Sequence, residues 1–237
     1  MKPIVKTILW LTAFSIAMGF LETSVVVYLR ELYYPQGFKF PLVPVPRNIA
    51  TTEFFRELAT IIMLIGAGVM AGKNNVQRFV FFLYSFAIWD IFYYVFLKVL
   101  LNWPESLFTW DILFLIPVPW VGPVIAPCIV SLSMIILTFI VIYFQEKGKY
   151  VHITFMEWML FIFGSITAII SFMWDYIIYV SEYDGSEKGI WTLSSNKDMF
   201  DEVKNYIPQH FNWWLFWVGQ GIVLFAITLI YRRIKKS

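Results

Sequence analysis

Charged residues, histidine and cysteine are all scarce in this sequence. Only 14% of its 237 residues are Asp, Glu, Lys or Arg and 59% are hydrophobic, whereas soluble domains carry about 25% charged residues. The single cysteine, Cys128, excludes an internal disulfide and a Cys-based metal cluster. The two histidines, His152 and His210, fall in predicted loops on opposite sides of a membrane, which argues against haem and iron–sulfur centres.

Long apolar segments recur along the whole chain. Each is about 20 residues long, the length that crosses a bilayer as a helix. They predict an all-α fold, a polytopic transmembrane helical bundle, in a single integral membrane domain over residues 1–237. The six predicted spans cover residues 5–29, 52–71, 79–101, 121–144, 155–180 and 213–231.

The distribution of Lys and Arg between the short connections predicts how these spans are oriented. Basic residues close the chain over 232–236 and recur at 147–149, between the fourth and fifth spans. Because cytoplasmic connections carry an excess of Lys and Arg, we expect both termini in the cytoplasm. Arg30, Lys39 and Arg47, in the first outer loop, are the exception.

A shorter apolar stretch precedes the fourth span, over residues 106–117. It is too short to cross a bilayer, and Pro117 and Pro119 interrupt it. Irregular backbone at membrane depth is tolerated only where protein buries it or where it lines a cavity. We therefore predict a re-entrant half-helix that dips into the outer leaflet over about 106–117.

Three acidic residues lie inside the predicted spans: Glu22, Asp90 and Asp175. An ionisable group at membrane depth costs about 2.5–3.5 kcal/mol on insertion scales, so it normally faces the interior of the bundle and marks a functional site. Tyr94 and Tyr179 each follow one of these aspartates by four residues, on the same helical face, where a phenol can donate to a carboxylate. We predict a buried polar site in the outer half of the membrane that contains these five residues.

A second group of charged residues stands near the outer ends of the helices: Glu53, Arg56, Glu57, Lys98 and Asp111. Glu53 and Glu57 also fit an ordinary helix start, where the helix dipole favours acids. Asp111 also fits a helix N-cap. For the acids inside the spans, the alternative to a functional site is a set of ion pairs to Arg56 or Lys98 that fixes helix packing.

Three functions are compatible with a one-sided polar layer. The first is binding or modification of a lipid or isoprenoid-like substrate, with the carboxylates acting as acid and base or holding a divalent cation. The second is a cation- or proton-coupled transporter or channel. The third is a non-catalytic subunit or assembly factor that uses the 181–212 loop as its contact surface.

No recognised catalytic motif accompanies these carboxylates. H-E-x-x-H, G-x-S-x-G and D-D-x-x-D are all missing, so the sequence names no catalytic residue and leaves enzymatic activity open. As partners we expect membrane lipids, a second copy of the chain or a larger membrane complex, and no nucleic acid.

The stretch W-D-I-F-Y-Y-V-F-L-K-V-L-L-N-W-P-E-S-L-F-T-W-D-I-L-F-L-I-P-V-P-W-V-G-P-V-I-A-P covers residues 89–127, about a sixth of the chain. It resembles a stretch shared by a family of bacterial polytopic membrane proteins to which no activity is attached. The resemblance implies a bacterial cytoplasmic (inner) membrane. The W-D pairs also resemble the membrane domains of carotenoid cyclases, but the P-x-E-E motif of those domains is missing, so their chemistry is not carried over.

Overall fold

The described part of the chain folds into a bundle of six long helices with one short hairpin. The computed structural model describes residues 2–43, 45–115, 118–183 and 206–236, with the side chains of 182–183 left out. Its elements are α1 (Pro3–Tyr33), α2 (Arg47–Ala71), α3 (Asn75–Leu101), β1 (Trp110–Phe114), β2 (Trp120–Pro123), α4 (Ile125–Glu146), α5 (Phe155–Tyr183) and α6 (Trp213–Lys236). Most of the 181–212 loop lies outside the described residues. All six helices are long and apolar enough to cross a membrane, which confirms the predicted class of fold.

Local capping explains several helix ends. The Asn74 side chain accepts a hydrogen bond from the Gln77 amide at 2.9 Å and begins α3. Asn102 ends that helix in the left-handed conformation, with a φ of 50°, which asparagine tolerates better than most residues. Thr154 and Glu157 form a reciprocal capping box at the start of α5, because each side chain accepts from the amide of the other residue.

The prediction of a half-helix over 106–117 is wrong for the described part of that stretch. Residues 110–114 form a strand that pairs antiparallel with β2, with Trp110 opposite Pro123 and Ile112 opposite Val121. Isoleucine and aromatic residues favour extended backbone, and the prolines that follow cannot continue a helix. The hairpin also pairs the backbone N–H and C=O groups of its two strands. Backbone groups within a membrane need such hydrogen-bond partners. Residues 116–117 lie outside the described structure.

α3 is the central helix of the bundle and packs against α1, α2 and α4, whereas α5 and α6 form a second close pair that touches β2 and α4. Glycines permit the closest approaches. A Cβ at Gly68 of α2 would lie 2.6 Å from the amide nitrogen of Phe82 on α3. A Cβ at Gly219 of α6 would lie 2.6 Å from the amide nitrogen of Ala168 on α5. These helices therefore meet backbone against backbone, as small residues allow in membranes.

The N-terminal end of α1, the α4–α5 connection and the C-terminal end of α6 meet at one end of the bundle. The Lys2 ammonium lies 3.8 Å from the Glu146 carboxylate. The Lys149 ammonium donates to the carbonyl oxygen of Ile234 at 2.7 Å, where the last carbonyls of α6 need partners. The hairpin lies at the other end, beside the C-terminal ends of α1 and α3.

Candidate functional site

A cavity of about 910 Å³ runs between the helices. Residues of all six helices and both strands line it. Charged side chains lie in the part that is nearer the hairpin, and hydrophobic and aromatic side chains form most of the wall elsewhere. The part nearer the terminal end of the bundle is lined by Phe79, Leu83, Leu137, Trp158, Phe161, Val223 and Ile227.

We infer from the packing and the exposure of the lining that the cavity opens sideways between α2 and α5. These two helices both line it, yet they are not among the pairs that pack closely. Phe54 of α2 and Ile162, Ser165 and Ile166 of α5 line the cavity and are also exposed at the surface. On a membrane-spanning bundle such a surface faces lipid, so the opening leads toward the acyl chains.

Glu22 lies beside the cavity in an ion-pair network with α2. Arg56 pairs with Glu22 through Nη1, and its Nε donates to Glu53 at 2.8 Å while Nη2 also contacts Glu53. The Thr60 hydroxyl lies 3.4 Å from Glu22, within donating distance. The pairing with Arg56 that the sequence offered as a structural alternative is therefore present for Glu22. Because α1 and α2 make few other contacts, this network is the main link between them.

Asp90 and Glu57 line the same cavity without a cation partner within 4.0 Å in the described residues. Asp90 accepts a hydrogen bond from the Ser131 hydroxyl of α4 at 2.8 Å. Glu57 accepts from the backbone amide of Leu115, just after β1, at 3.0 Å. Lys98 does not reach them and lies outside the cavity lining. Its ammonium donates instead to the carbonyl oxygen of Pro104 at 3.0 Å.

Arg30 and Asp111 form a second ion pair at the hairpin end of the cavity. Both side chains are buried, at 7% and 2% relative exposure, and Arg30 Nη2 lies 3.5 Å from Asp111 Oδ1. The guanidinium carbon lies over two aromatic rings, 3.8 Å from the ring centroid of Trp103 and 4.5 Å from that of Phe38. Burial raises the pKa of Asp111 to about 6 even though the positive charge of Arg30 opposes the shift.

Some buried polar atoms of this region have no hydrogen-bond partner among the described residues. They include Nη1 of Arg30 and the indole nitrogens of Trp89 and Trp120. The Tyr94 hydroxyl approaches Asp111 and favours its ionised form, yet the contact falls short of ordinary hydrogen-bond geometry. All four side chains line the cavity. Unpaired donors of this kind are rare in buried positions, and each needs an explanation.

Asp175 and Tyr179 do not join this cavity, so the predicted convergence of Glu22, Asp90 and Asp175 is not found. Asp175 lines a separate cavity of about 420 Å³, where it accepts from the Tyr206 hydroxyl at 2.8 Å and the His210 amide at 2.9 Å. It holds the segment that leads into α6. Both aspartates accept hydrogen bonds from residues that are distant in the chain, Asp90 from Ser131 and Asp175 from Tyr206 and His210.

Of the residues that the sequence singled out, the cavity brings together seven: Glu22, Asp90, Tyr94, Glu53, Arg56, Glu57 and Asp111. Arg30 and Ser131 also belong to the site, although they are not among the site residues predicted from the sequence. A signal for Arg30 was available, since Glu22, Val26 and Arg30 repeat every four residues on one face of α1. In the described part of the chain, no group of three or more His, Cys, Asp or Glu residues is arranged to hold a metal ion.

The fold and the site together define a polytopic α-helical membrane protein with a laterally open cavity that has one polar end. No model of a known protein family matches the chain, and comparisons with curated proteins and with solved structures likewise find no match.

Proposed function

We propose that this integral membrane protein binds a lipid or isoprenoid-like molecule in its cavity. The observation that carries the proposal is an apolar cavity of about 910 Å³ that opens between α2 and α5 and has a cluster of charged side chains at one end. Cavities of about 300–1,000 Å³ with apolar walls and a few convergent polar groups are typical of small-molecule sites. A long apolar chain fits the wall, and a polar head fits the charged end.

The apolar lining of the other end favours lipid binding over ion transport. A cation path needs polar groups along its length, because a desolvated ion must be compensated at each step. Beyond the charged cluster, however, the wall is formed mostly by side chains such as Leu83, Leu137 and Ile227. The polar exceptions are Ser133, Ser165 and Gln220. A hydrocarbon chain requires no such compensation.

The polar end supplies groups that could act on the head of a bound molecule. Glu57 and Asp90 have no cation partner within 4.0 Å in the part of the chain that the structure describes. They are therefore the carboxyl groups available for acid–base chemistry, whereas Glu22 and Glu53 are engaged with Arg56. Modification of the bound lipid, if it occurs, would use these two side chains.

The orientation is part of the same proposal. We infer that both termini face the cytoplasm of a bacterial cell and that the polar end of the cavity lies in the outer half of the membrane. Support comes from the basic residues at the terminal end of the bundle, among them Lys2, Lys149 and Arg233. Membrane lipids are then both the surroundings of this protein and the source of its ligand.

Lipid retention in variants of the cavity opening tests the proposal. Ile166 of α5 lines the opening, whereas Phe163 of the same helix is exposed but does not line the cavity. We expect Ile166→Trp to narrow the opening and lower retained lipid, measured by native mass spectrometry in detergent, by about tenfold or about 1.4 kcal/mol. Phe163→Trp is the matched control and should retain lipid as the parent protein does. Equal retention in both variants would contradict the assigned opening, and a parent protein that retains no lipid would contradict the function.

A further inference from the structure

Two arginines line the cavity, and the described residues neutralise them to different degrees. Arg56 contacts carboxylates through Nε, Nη1 and Nη2, so its donors are engaged by Glu22 and Glu53. Arg30 contacts one carboxylate, that of Asp111, at the long distance of 3.5 Å. Its Nη1 is buried and has no hydrogen-bond partner among the described residues. Arg30 is therefore the cavity cation that can still accept an anionic partner.

Two aromatic rings hold the Arg30 guanidinium in place. The ring centroids of Trp103 and Phe38 lie 3.8 and 4.5 Å from its Cζ, and the two rings are nearly perpendicular to each other, at 87°. The flat fork of donors on a guanidinium suits the oxygen pairs of a phosphate or carboxylate. The ring contacts also lower the entropy that a flexible side chain would lose on binding, which favours a preorganised receptor.

Two indole donors extend this set. The Nε1 atoms of Trp89 and Trp120 are buried without a hydrogen-bond partner in the described structure, and both side chains line the same cavity. An indole N–H can only donate. These three donors each require an acceptor, and a ligand that is rich in oxygen would provide it. The Tyr94 hydroxyl and Asp111 Oδ2, in the same cavity, are also without a hydrogen-bond partner among the described residues.

We propose that Arg30 recognises the oxyanion of the bound lipid, and that the ligand is a phosphate carried on a long apolar chain. This proposal rests on the proposed function and names the head group of that ligand. Phosphate is preferred to a neutral head because Arg30 is a buried cation with a free donor, and a bidentate oxyanion satisfies both its charge and its hydrogen bond. The apolar chain would then extend past Trp89 into the hydrophobic part of the cavity.

Asp111 would oppose such a ligand as long as it is ionised, because it lies beside the same guanidinium. An anionic head group would compete with Asp111 for Arg30. Removal of the Asp111 charge should therefore tighten the binding of a phosphate lipid, whereas removal of the Arg30 charge should weaken it. If the ion pair were merely structural, removal of either charge would change the binding of a phosphate lipid in the same direction. Each substitution would leave the other residue of the pair buried and uncompensated.

The test measures head-group selectivity by native mass spectrometry of the full chain in detergent. Two matched pairs of probes separate the two sources of this chemistry: farnesyl phosphate with farnesol, and dioleoyl phosphatidic acid with dioleoylglycerol. For the parent protein we expect one pair or both to show a preference for the phosphate of about tenfold or more. The pair with the larger preference identifies the isoprenoid or the diacyl source.

The variants decide whether Arg30 is responsible. Arg30→Met should bring the phosphate preference close to one, and Arg30→Lys should retain part of the preference. Asp111→Asn should increase it, which keeps the test informative if Arg30→Met folds poorly. A preference that survives in Arg30→Met, or one that falls in Asp111→Asn, would overturn the proposal. Equal binding of phosphate and alcohol by the parent protein would overturn it and leave the proposed function intact, whereas binding of neither would refute the proposed function.

Discussion

The contact between α5 and α6 depends on Gly219, and its replacement by alanine gives a sharp test of the packing. A Cβ at this position would lie 2.6 Å from the backbone nitrogen of Ala168 and 2.7 Å from the carbonyl oxygen of Gly164. Ordinary contacts of a Cβ begin at 3.4 Å, so the helices would have to separate by about 0.8 Å. Backbone atoms cannot rotate away as the end of a long side chain can.

The expected cost follows from two opposing effects. Overpacking of a close interface costs about 1–3 kcal/mol. The upper part of that range applies here because the added Cβ would meet backbone atoms, which cannot move aside. Alanine gains up to about 1 kcal/mol over glycine in helix propensity. We therefore expect a net loss of about 1–2 kcal/mol for Gly219→Ala, or a melting temperature lower by about 2–8 °C for a chain of this length.

Gly221 of the same helix provides the matched control. A Cβ there would meet nothing within 4 Å, so Gly221→Ala should keep only the gain in propensity and raise the melting temperature by about 2–4 °C. The single cysteine, Cys128, lies half-buried in α4, and its reaction with a thiol-specific fluorescent dye during heating reports unfolding of the purified protein. Equal shifts in the two variants would refute the close packing of α5 against α6.

Two further predictions concern charged residues that do not line the cavity of about 910 Å³. Asp175→Asn should lower the free energy of unfolding by about 1–3 kcal/mol, because Asp175 accepts from the Tyr206 hydroxyl and the His210 amide. Lipid retention should not change, and a loss of lipid at unchanged melting temperature would place Asp175 in the binding site instead. Arg233→Met should cost about 2 kcal/mol or more, since Glu157 is 3% exposed and would lose both hydrogen bonds to that guanidinium. Arg232→Met, at the adjacent exposed position, should change the free energy of unfolding by no more than about 0.5 kcal/mol. Equal shifts of the melting temperature in the two variants would show that the ion pair of Arg233 with Glu157 contributes nothing to stability.

The helical bundle could be predicted from the sequence because its cause is local. The length and hydropathy of an apolar segment depend on that segment alone. The six spans could therefore be predicted without knowing which helices pack against each other. Helix ends were harder, since α2 begins at Arg47 rather than at Thr52. Capping signals such as the one formed by Thr154 and Glu157 are also local, and they were available in the sequence.

The apolar content of the sequence could not distinguish a hairpin from a half-helix in this stretch. The stretch from Trp110 to Trp120 is short, so it has too few residues for a helical or strand period to appear clearly. The pairing of β1 with β2 decides between the two, and that pairing joins residues that are separated along the chain.

Asp90 and Asp175 show what a sequence motif leaves open. Both follow a tryptophan and precede a tyrosine by four residues, yet Asp90 lines the large cavity while Asp175 anchors the segment before α6. The difference arises from their helices. α3 is central and faces the cavity, whereas this part of α5 faces the outer segment that returns to the bundle.

By itself, the sequence determined that this protein is a bundle of helices apolar enough to cross a membrane. It also determined that three of its carboxylates lie inside apolar spans. Both conclusions follow from the cost of transferring local groups into hydrocarbon. Only the tertiary structure decided which charges are neutralised. In the sequence, Arg56 and Arg30 are both isolated cations. In the fold, Arg56 contacts two carboxylates, whereas Arg30 contacts one carboxylate, at 3.5 Å, and two aromatic rings, with one donor unpaired in the described residues. The physical reason is that charge compensation depends on distances of a few ångströms between helices, which the order of residues along one helix does not specify.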